Sequence, residues 1–175
     1  MVTMRQAPRA TGGSRAPIAC SHHGHDLERW PLHDMLVLGA LAEAVPSARA
    51  HLRHVLRQWG HAELDEDASV VISELVTNAV VASAALAPAV APVLMWLGSD
   101  RHRVLAAVAD ASPRPPVQPI LRPDAERGRG LALVEALSSR WGWHPARVTG
   151  LAKVTWAEWH LPPGSASGLL PTYRT

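Results

Sequence analysis

A nearly uncharged apolar segment in the middle of the chain constrains the fold more than any other part of the sequence. An acidic group at 63–67 precedes it, and acidic side chains favour the start of a helix because they complement the helix dipole. Apolar residues then follow almost without interruption, which predicts one helix over about 67–84. Glu74 and Asn78 lie four residues apart in it, so a helix places them on the same face.

This polar pair has two interpretations. A carboxylate and an amide among apolar neighbours are costly to bury without partners, so the two side chains could form a polar stripe that faces water. Alternatively, the carbonyl oxygen of Asn78 helps to hold a hard cation, because such cations prefer oxygen ligands. Glu74 would then accept a proton from an attacking nucleophile, or orient that nucleophile. The pattern alone favours the polar stripe.

The rest of the chain predicts a sheet with helices on one of its faces. Apolar runs, alternation and glycine or proline boundaries indicate the following elements: a strand at 35–41, a helix from about 46 to 60, a strand hairpin of 90–97 and 103–109, a helix at 128–137 and a strand at 153–161. The proline-rich segment 111–127 is predicted to be a loop. We therefore expect an α+β two-layer sandwich with a mixed, mainly antiparallel sheet.

Two further segments contain residues suited to ligand binding. Asp110 ends an apolar strand, where its carboxylate could accept a hydrogen bond from an exocyclic amine, or could simply form a turn. Gly128 and Gly130 precede an apolar helix, and glycine lets a backbone approach a ligand closely, while a helix N-terminus offers free N–H groups to phosphate. The segment lacks the lysine of a P-loop and the third glycine of a dinucleotide fingerprint.

Composition narrows the function classes. The chain has 175 residues with a formal net charge of +2 and no basic run, so we expect no direct binding to nucleic acid. Cys20 is the only cysteine, so an intrachain disulfide is excluded and a cytoplasmic protein is expected. The uncharged stretch 79–98 is long enough to span a bilayer, but its prolines favour a helix end, a turn and a strand, and no membrane is expected. We predict tails at 1–33 and 163–175 around a domain at 34–162.

Three segments in chain order, ELVTNAV, DASPRPP and GRGLALVEALSSRWG, resemble the GHKL ATPase superfamily with its Bergerat fold. The resemblance covers roughly 36–159 and is closest to single-domain actinobacterial ATP-binding proteins that look like anti-sigma-factor serine/threonine kinases. It implies ATP and Mg²⁺ as cofactors. In this resemblance Glu74 matches the catalytic base, Asn78 the magnesium ligand and Asp110 the aspartate that recognises the adenine amine. The lid over the phosphates is matched by Gly128, Arg129, Gly130 and Leu131.

The resemblance also implies partners. The kinase members phosphorylate a serine of an anti-anti-sigma (STAS-type) protein, bind a sigma factor and form homodimers. Val81, Ala82 and Ser83 stand where the family often has Arg-His-Ala, and Thr155 has no assigned counterpart. These departures motivate an alternative, an ATP-dependent switch that sequesters a sigma factor or another regulator without phosphorylating it. A third hypothesis is the catalytic domain of a histidine kinase, although no pair of phosphoacceptor helices is recognisable.

Overall fold

The computed structural model describes residues 29–84, 86, 92–116, 130–146 and 148–162. A short 3₁₀ turn, Ala62–Leu64, separates the first two helices. The helices are α1 (Ala44–Trp59), α2 (Asp65–Ala84) and α3 (Gly130–Leu137). The strands are β1 (Leu32–Gly39), β2 (Pro92–Ser99), β3 (Arg103–Asp110), β4 (Arg140–Pro145) and β5 (Lys153–His160).

The five strands form one sheet in the order β1-β2-β3-β5-β4, and all four pairings are antiparallel. Alternate residues of β3 divide between the two faces, as the pleat requires. Val104, Ala106 and Val108 pack with the helices in the main core, whereas Leu105 and Ala107 belong to a second cluster on the opposite face. The helices thus cover one face of the sheet, and the predicted α+β two-layer fold is confirmed.

Helix α2 is the centre of the core. Its buried apolar residues are Ala68, Val71, Ile72, Leu75, Val76 and Ala79. They pack against the helix-facing side of β2 and β3 and against the buried residues of α1. Burying one large apolar side chain contributes about 1.5–3 kcal/mol, so this helix fixes where Glu74 and Asn78 stand relative to the sheet.

Helix α1 ends as its sequence predicts. Gly60 adopts a left-handed conformation with φ of 78°, and its N–H group bonds to the carbonyl oxygens of Arg57 and Leu56. A left-handed residue after the last turn is the position that favours glycine. The chain can then turn at once into the 3₁₀ segment and α2, which brings the two helices side by side.

The boundaries of several elements differ from the predictions by a few residues. Strand β1 begins at Leu32 rather than at 35, and α2 begins at Asp65. Strand β4 is absent from the sequence-based prediction, which ran from the third helix to the last strand without an element between them. The proposed tails at 1–33 and 163–175 stay a prediction, because 1–28 and 163–175 lie outside the described residues.

Tryptophan rings cover the face of the sheet opposite α1, α2 and α3. The ring of Trp96 lies over Gly98, and the ring of Trp156 lies over Gly142. Trp30 is fully buried and meets Trp96 edge to face, with 5.9 Å between the ring centroids. This packing helps to bury Leu105 and its neighbours on this face.

In the described part of the chain, one helical segment, Ala62–Ala84, is long and apolar enough to cross a membrane, judged by length and composition alone. It contains α2, whose apolar side chains form the core. The uncharged stretch 79–98 divides between the end of α2 and strand β2, as predicted, with 85 and 87–91 outside the described residues.

Candidate functional site

Glu74 meets the start of α3. Its side chain is half-buried on α2, and a Cβ atom added to Gly130 would collide with the carboxylate oxygen Oε2 and lie 3.2 Å from Cδ of Glu74. Only a glycine leaves room for this approach. The carboxylate therefore lies beside the N-terminal end of α3, where the dipole of the helix is positive.

Asn78 stands one turn further along α2. Its side chain is exposed, as is that of the neighbouring Thr77. By contrast, Ser73 is satisfied within the helix, because its hydroxyl donates to the carbonyl oxygen of Ser69 at 2.6 Å. Among the described residues, no group of three or more His, Cys, Asp or Glu side chains could hold a metal ion. A cation at Asn78 would thus need further oxygen ligands that no such group of described side chains supplies.

Asp110 is the last residue of β3 and is 1% exposed. It has the same strand parity as Val108, so it lies on the side of the sheet that the helices cover. Its Oδ1 accepts hydrogen bonds from the ammonium group of Lys153 at 2.7 Å and from the backbone N–H of Ser112 at 2.8 Å. Burial raises the pKa of the Asp110 carboxyl group, and the bonds from Lys153 and Ser112 act in the opposite direction.

The bond to Ser112 shows that Asp110 forms a turn, and its ligand-binding role stays a prediction. An aspartate that accepts from the N–H two residues later forms a turn of the type expected from sequence. The same carboxylate nevertheless lies on the helix side of the sheet, as a ligand-binding residue would. The turn therefore does not exclude a second role for the other carboxylate oxygen.

Lys153 was missed by the sequence analysis. It begins β5 directly opposite Asp110 in the register of the two strands. Its side chain is buried, and its ammonium group also donates to the carbonyl oxygen of Ser112 at 3.3 Å. It is the only lysine in the chain, and that was the one signal available, since the strand pairing cannot be read from the sequence.

The structure brings some of the sequence-predicted residues together. Glu74 and Gly130 are in contact, Asn78 follows Glu74 on the same helix, and Asp110 lies on the helix-facing side of the sheet. Leu131 is buried in the main core, so its side chain packs beneath the start of α3. Gly128 and Arg129 lie outside the described residues.

The fold and the placement of its polar residues define a class of protein. In the described part of the chain, α1, α2 and α3 cover one face of a five-stranded antiparallel sheet. Glu74 of α2 and Asp110 at the end of β3 are polar residues within the otherwise apolar interior or at its border, and the glycine that begins α3 lies against Glu74. The chain belongs to the family described as histidine kinase-like ATPase domain, which it matches over residues 38–155. The prediction of a GHKL-type ATPase is confirmed, and ATP is the ligand that membership implies.

Among solved structures, the chain is similar to the RsbU and RsbW domains of Rv1364c from Mycobacterium tuberculosis. The identity is 24% and the TM-score 0.48. The match covers 74% of this chain and 32% of that one, so the chain spans about a third of its length. No curated protein matches the chain.

Proposed function

We propose that this protein is an ATP-dependent serine/threonine kinase of the anti-sigma type, which transfers a phosphoryl group to a serine of a separate anti-anti-sigma protein. The observation that carries the proposal is the contact between Glu74 and Gly130. This contact joins two segments that the reaction would need, a candidate base on α2 and the backbone that begins α3.

Glu74 would act as the base for the attacking hydroxyl group. Phosphoryl transfer depends mainly on positioning and charge neutralisation, with little covalent chemistry for the protein to perform. A half-buried carboxylate on a rigid core helix suits the part that remains, which is to orient the serine hydroxyl and accept its proton.

Asn78 fits a magnesium site that the nucleotide completes. Mg²⁺ usually keeps several waters and binds few protein groups together with substrate phosphates, which agrees with one exposed amide oxygen and no cluster of acidic ligands in the described part of the chain. When bound, Mg²⁺ would neutralise charge that develops on the phosphates. The role of Asn78 is to supply an oxygen ligand from a fixed helix.

Asp110 and the start of α3 would hold the two ends of the nucleotide. The carboxylate would accept a hydrogen bond from the adenine amine. The backbone of Gly128, Arg129, Gly130 and Leu131 would close over the phosphates, since free N–H groups at a helix start bind phosphate.

The proposal also covers the setting in which the site acts. In this proposal the domain is 34–162, it acts in the cytoplasm, and it also binds a sigma factor and forms a homodimer.

Nucleotide binding is the first test. Calorimetric titration with ATP and Mg²⁺ should show binding that Asn78→Ala and Asp110→Asn each weaken at least about tenfold, the loss of about 1.4 kcal/mol of interaction. Glu135→Gln is the control, because Glu135 is exposed on the surface of α3. An ATP affinity unchanged in both variants would refute the assigned site.

Phosphotransfer is the second test. Purified protein with radiolabelled ATP, Mg²⁺ and candidate anti-anti-sigma proteins should label a serine on one of them. Glu74→Gln should abolish the labelling while retaining ATP binding, and Glu135→Gln should retain both. Labelling by Glu74→Gln at the wild-type rate would remove Glu74 from the reaction.

One observation favours a second candidate, a switch that binds ATP and a regulator without transferring phosphate. Val81 is 65% exposed near the end of α2, at a position where the resemblance leads us to expect arginine. A valine one turn beyond Asn78 supplies neither charge nor hydrogen-bond donor to a phosphate, whereas an arginine there would supply both. Stoichiometric phosphoserine on a co-expressed partner would refute this candidate.

A further inference from the structure

We propose that Lys153 is a positioning residue for the nucleotide base: by its bond to Oδ1 it holds the Asp110 carboxylate in one orientation, so that Oδ2, to which no described donor is bonded, faces a ligand amine. This inference rests on the proposed function, because it takes Asp110 as the residue that meets the adenine base. The inference goes beyond the proposed function because it assigns a role to Lys153, which lies outside the three segments ELVTNAV, DASPRPP and GRGLALVEALSSRWG.

The two residues are fixed by the sheet. Asp110 and Lys153 lie directly opposite each other in the antiparallel pairing of β3 and β5. The carbonyl oxygen of Asp110 also accepts a hydrogen bond from the N–H of Ala152 at 2.7 Å. This bond extends the contact between the two segments beyond the last residue pair of β3 and β5. Both side chains are buried, with exposures of 2% for Asp110 and 6% for Lys153. Neither group can therefore exchange its partner for water without local opening.

The hydrogen bonds leave one oxygen available. A carboxylate oxygen has two lone pairs, and those of Oδ1 are used by the ammonium group of Lys153 and the N–H of Ser112. No donor among the described residues is bonded to Oδ2. A ligand amine would thus meet an acceptor whose plane is already set, which is how preorganisation lowers the entropic cost of binding.

Charge is the second contribution of Lys153. Burial favours the neutral form of Asp110, and Lys153 opposes this effect through its hydrogen bond and its charge. Among the described residues, Lys153 is the one ionisable group that contributes to the pKa shift of Asp110, and the N–H of Ser112 is the other contribution that lowers it. An ionised acceptor forms a hydrogen bond roughly twice as strong as a neutral one, so Lys153 should strengthen recognition of the amine without touching it.

Removing the exocyclic amine from the nucleotide distinguishes the positioning role of Lys153 from a purely structural one. ATP is compared with purine riboside triphosphate, which lacks the exocyclic amine, by calorimetry on the full chain. In the wild type, the missing amine should weaken binding about tenfold, as expected for a hydrogen bond to a charged group. In Lys153→Met the ratio of the two dissociation constants should fall to about 2 or less, and in Lys153→Arg it should stay near the wild-type value.

The pH dependence gives a second readout. Without Lys153 the pKa of Asp110 should rise further, so the carboxyl group takes up a proton as the pH falls. The ratio in Lys153→Met should therefore decrease as the pH falls, and it should do so at a higher pH than the wild-type ratio does, because Lys153 lowers the pKa of Asp110. If Lys153→Met does not fold, Lys153→Gln replaces it, because glutamine keeps an N–H donor and lacks the charge.

The outcomes distinguish this inference from the proposed function. If the wild type binds both nucleotides equally, Asp110 does not read the amine and the site assignment fails. If the wild type discriminates and the Lys153 variants weaken both nucleotides by the same factor, the site assignment stands and the positioning role of Lys153 is refuted. A reduced ratio in Lys153→Met or Lys153→Gln together with a wild-type ratio in Lys153→Arg supports both.

Discussion

Replacing Gly130 with alanine should reduce the activity of this domain strongly and change its stability little. A Cβ atom at this position would overlap Oε2 of Glu74 and lie 3.2 Å from Cδ. Carbon atoms prefer separations of about 3.5–4.0 Å, so the carboxylate must move by about 1 Å. The atom in the way is the end of a flexible side chain, and Glu74 can rotate within its half-exposed surroundings.

The stability change should be small. Holding a side chain away from its preferred rotamer costs about 0.5–1.5 kcal/mol, and an alanine in a helix is favoured over glycine by up to about 1 kcal/mol. The two effects nearly cancel, and the net change in the free energy of unfolding should be below about 1 kcal/mol. Activity should fall much further, since a misplacement of about 1 Å at a reacting group can reduce a rate about 100-fold.

The measurement pairs urea unfolding with ATP turnover, with and without a candidate partner. Gly39→Ala is the matched control, because a Cβ there meets only Leu41, at 3.7 Å. Turnover by Gly130→Ala within about twofold of the wild type would show that the position of Glu74 is not critical. A loss of more than about 2 kcal/mol of stability would show instead that the contact is part of the core.

Three further predictions follow from single sites. Burial lowers the pKa of His61, so protonation favours the unfolded state and stability should fall as the pH drops through the ordinary histidine range; His61→Asn should flatten this slope in thermal unfolding at several pH values. Gly98→Ala should cost about 1–3 kcal/mol in urea unfolding, because the new Cβ displaces the ring of Trp96. Asn78→Ala should lose the Mg²⁺ dependence of ATP affinity, measured by calorimetry with and without chelator.

Much of the fold could be predicted because its signals are local. The boundary of α1 at Gly60 follows from one residue that tolerates a left-handed backbone, and α2 follows from an apolar run with acidic residues before it. Strand β4 carried no such signal. It is six residues long, includes Gly142 and is made a strand mainly by its pairing with β5, so its structure is decided by distant partners.

The candidate site also contains residues that could be predicted from local sequence patterns and others that could not. Glu74 and Asn78 could be found because helical periodicity puts residues four apart on one face. Their relation to Gly130 was suggested only by the resemblance, and the steric reason for that glycine, the carboxylate of Glu74, became visible in the packing of α2 against α3. The role of Lys153 could not be predicted from the sequence, because it depends on the strand register that sets Lys153 opposite Asp110.

Asp110 shows why a structural and a functional interpretation of one residue need not compete. Its Oδ1 maintains the turn after β3 and the link to β5 through Ser112 and Lys153, whereas Oδ2 has no bonded donor in the described part of the chain. Asp110→Asn removes the charge that pairs with Lys153 and replaces one of the two oxygens with a donor, and breaking such a buried pair costs about 3–5 kcal/mol. A loss of ATP binding in that variant therefore cannot by itself assign the role of Oδ2. Removing the amine from the nucleotide leaves Oδ1 and the fold intact, and for this reason the comparison of nucleotides carries more weight than the mutant.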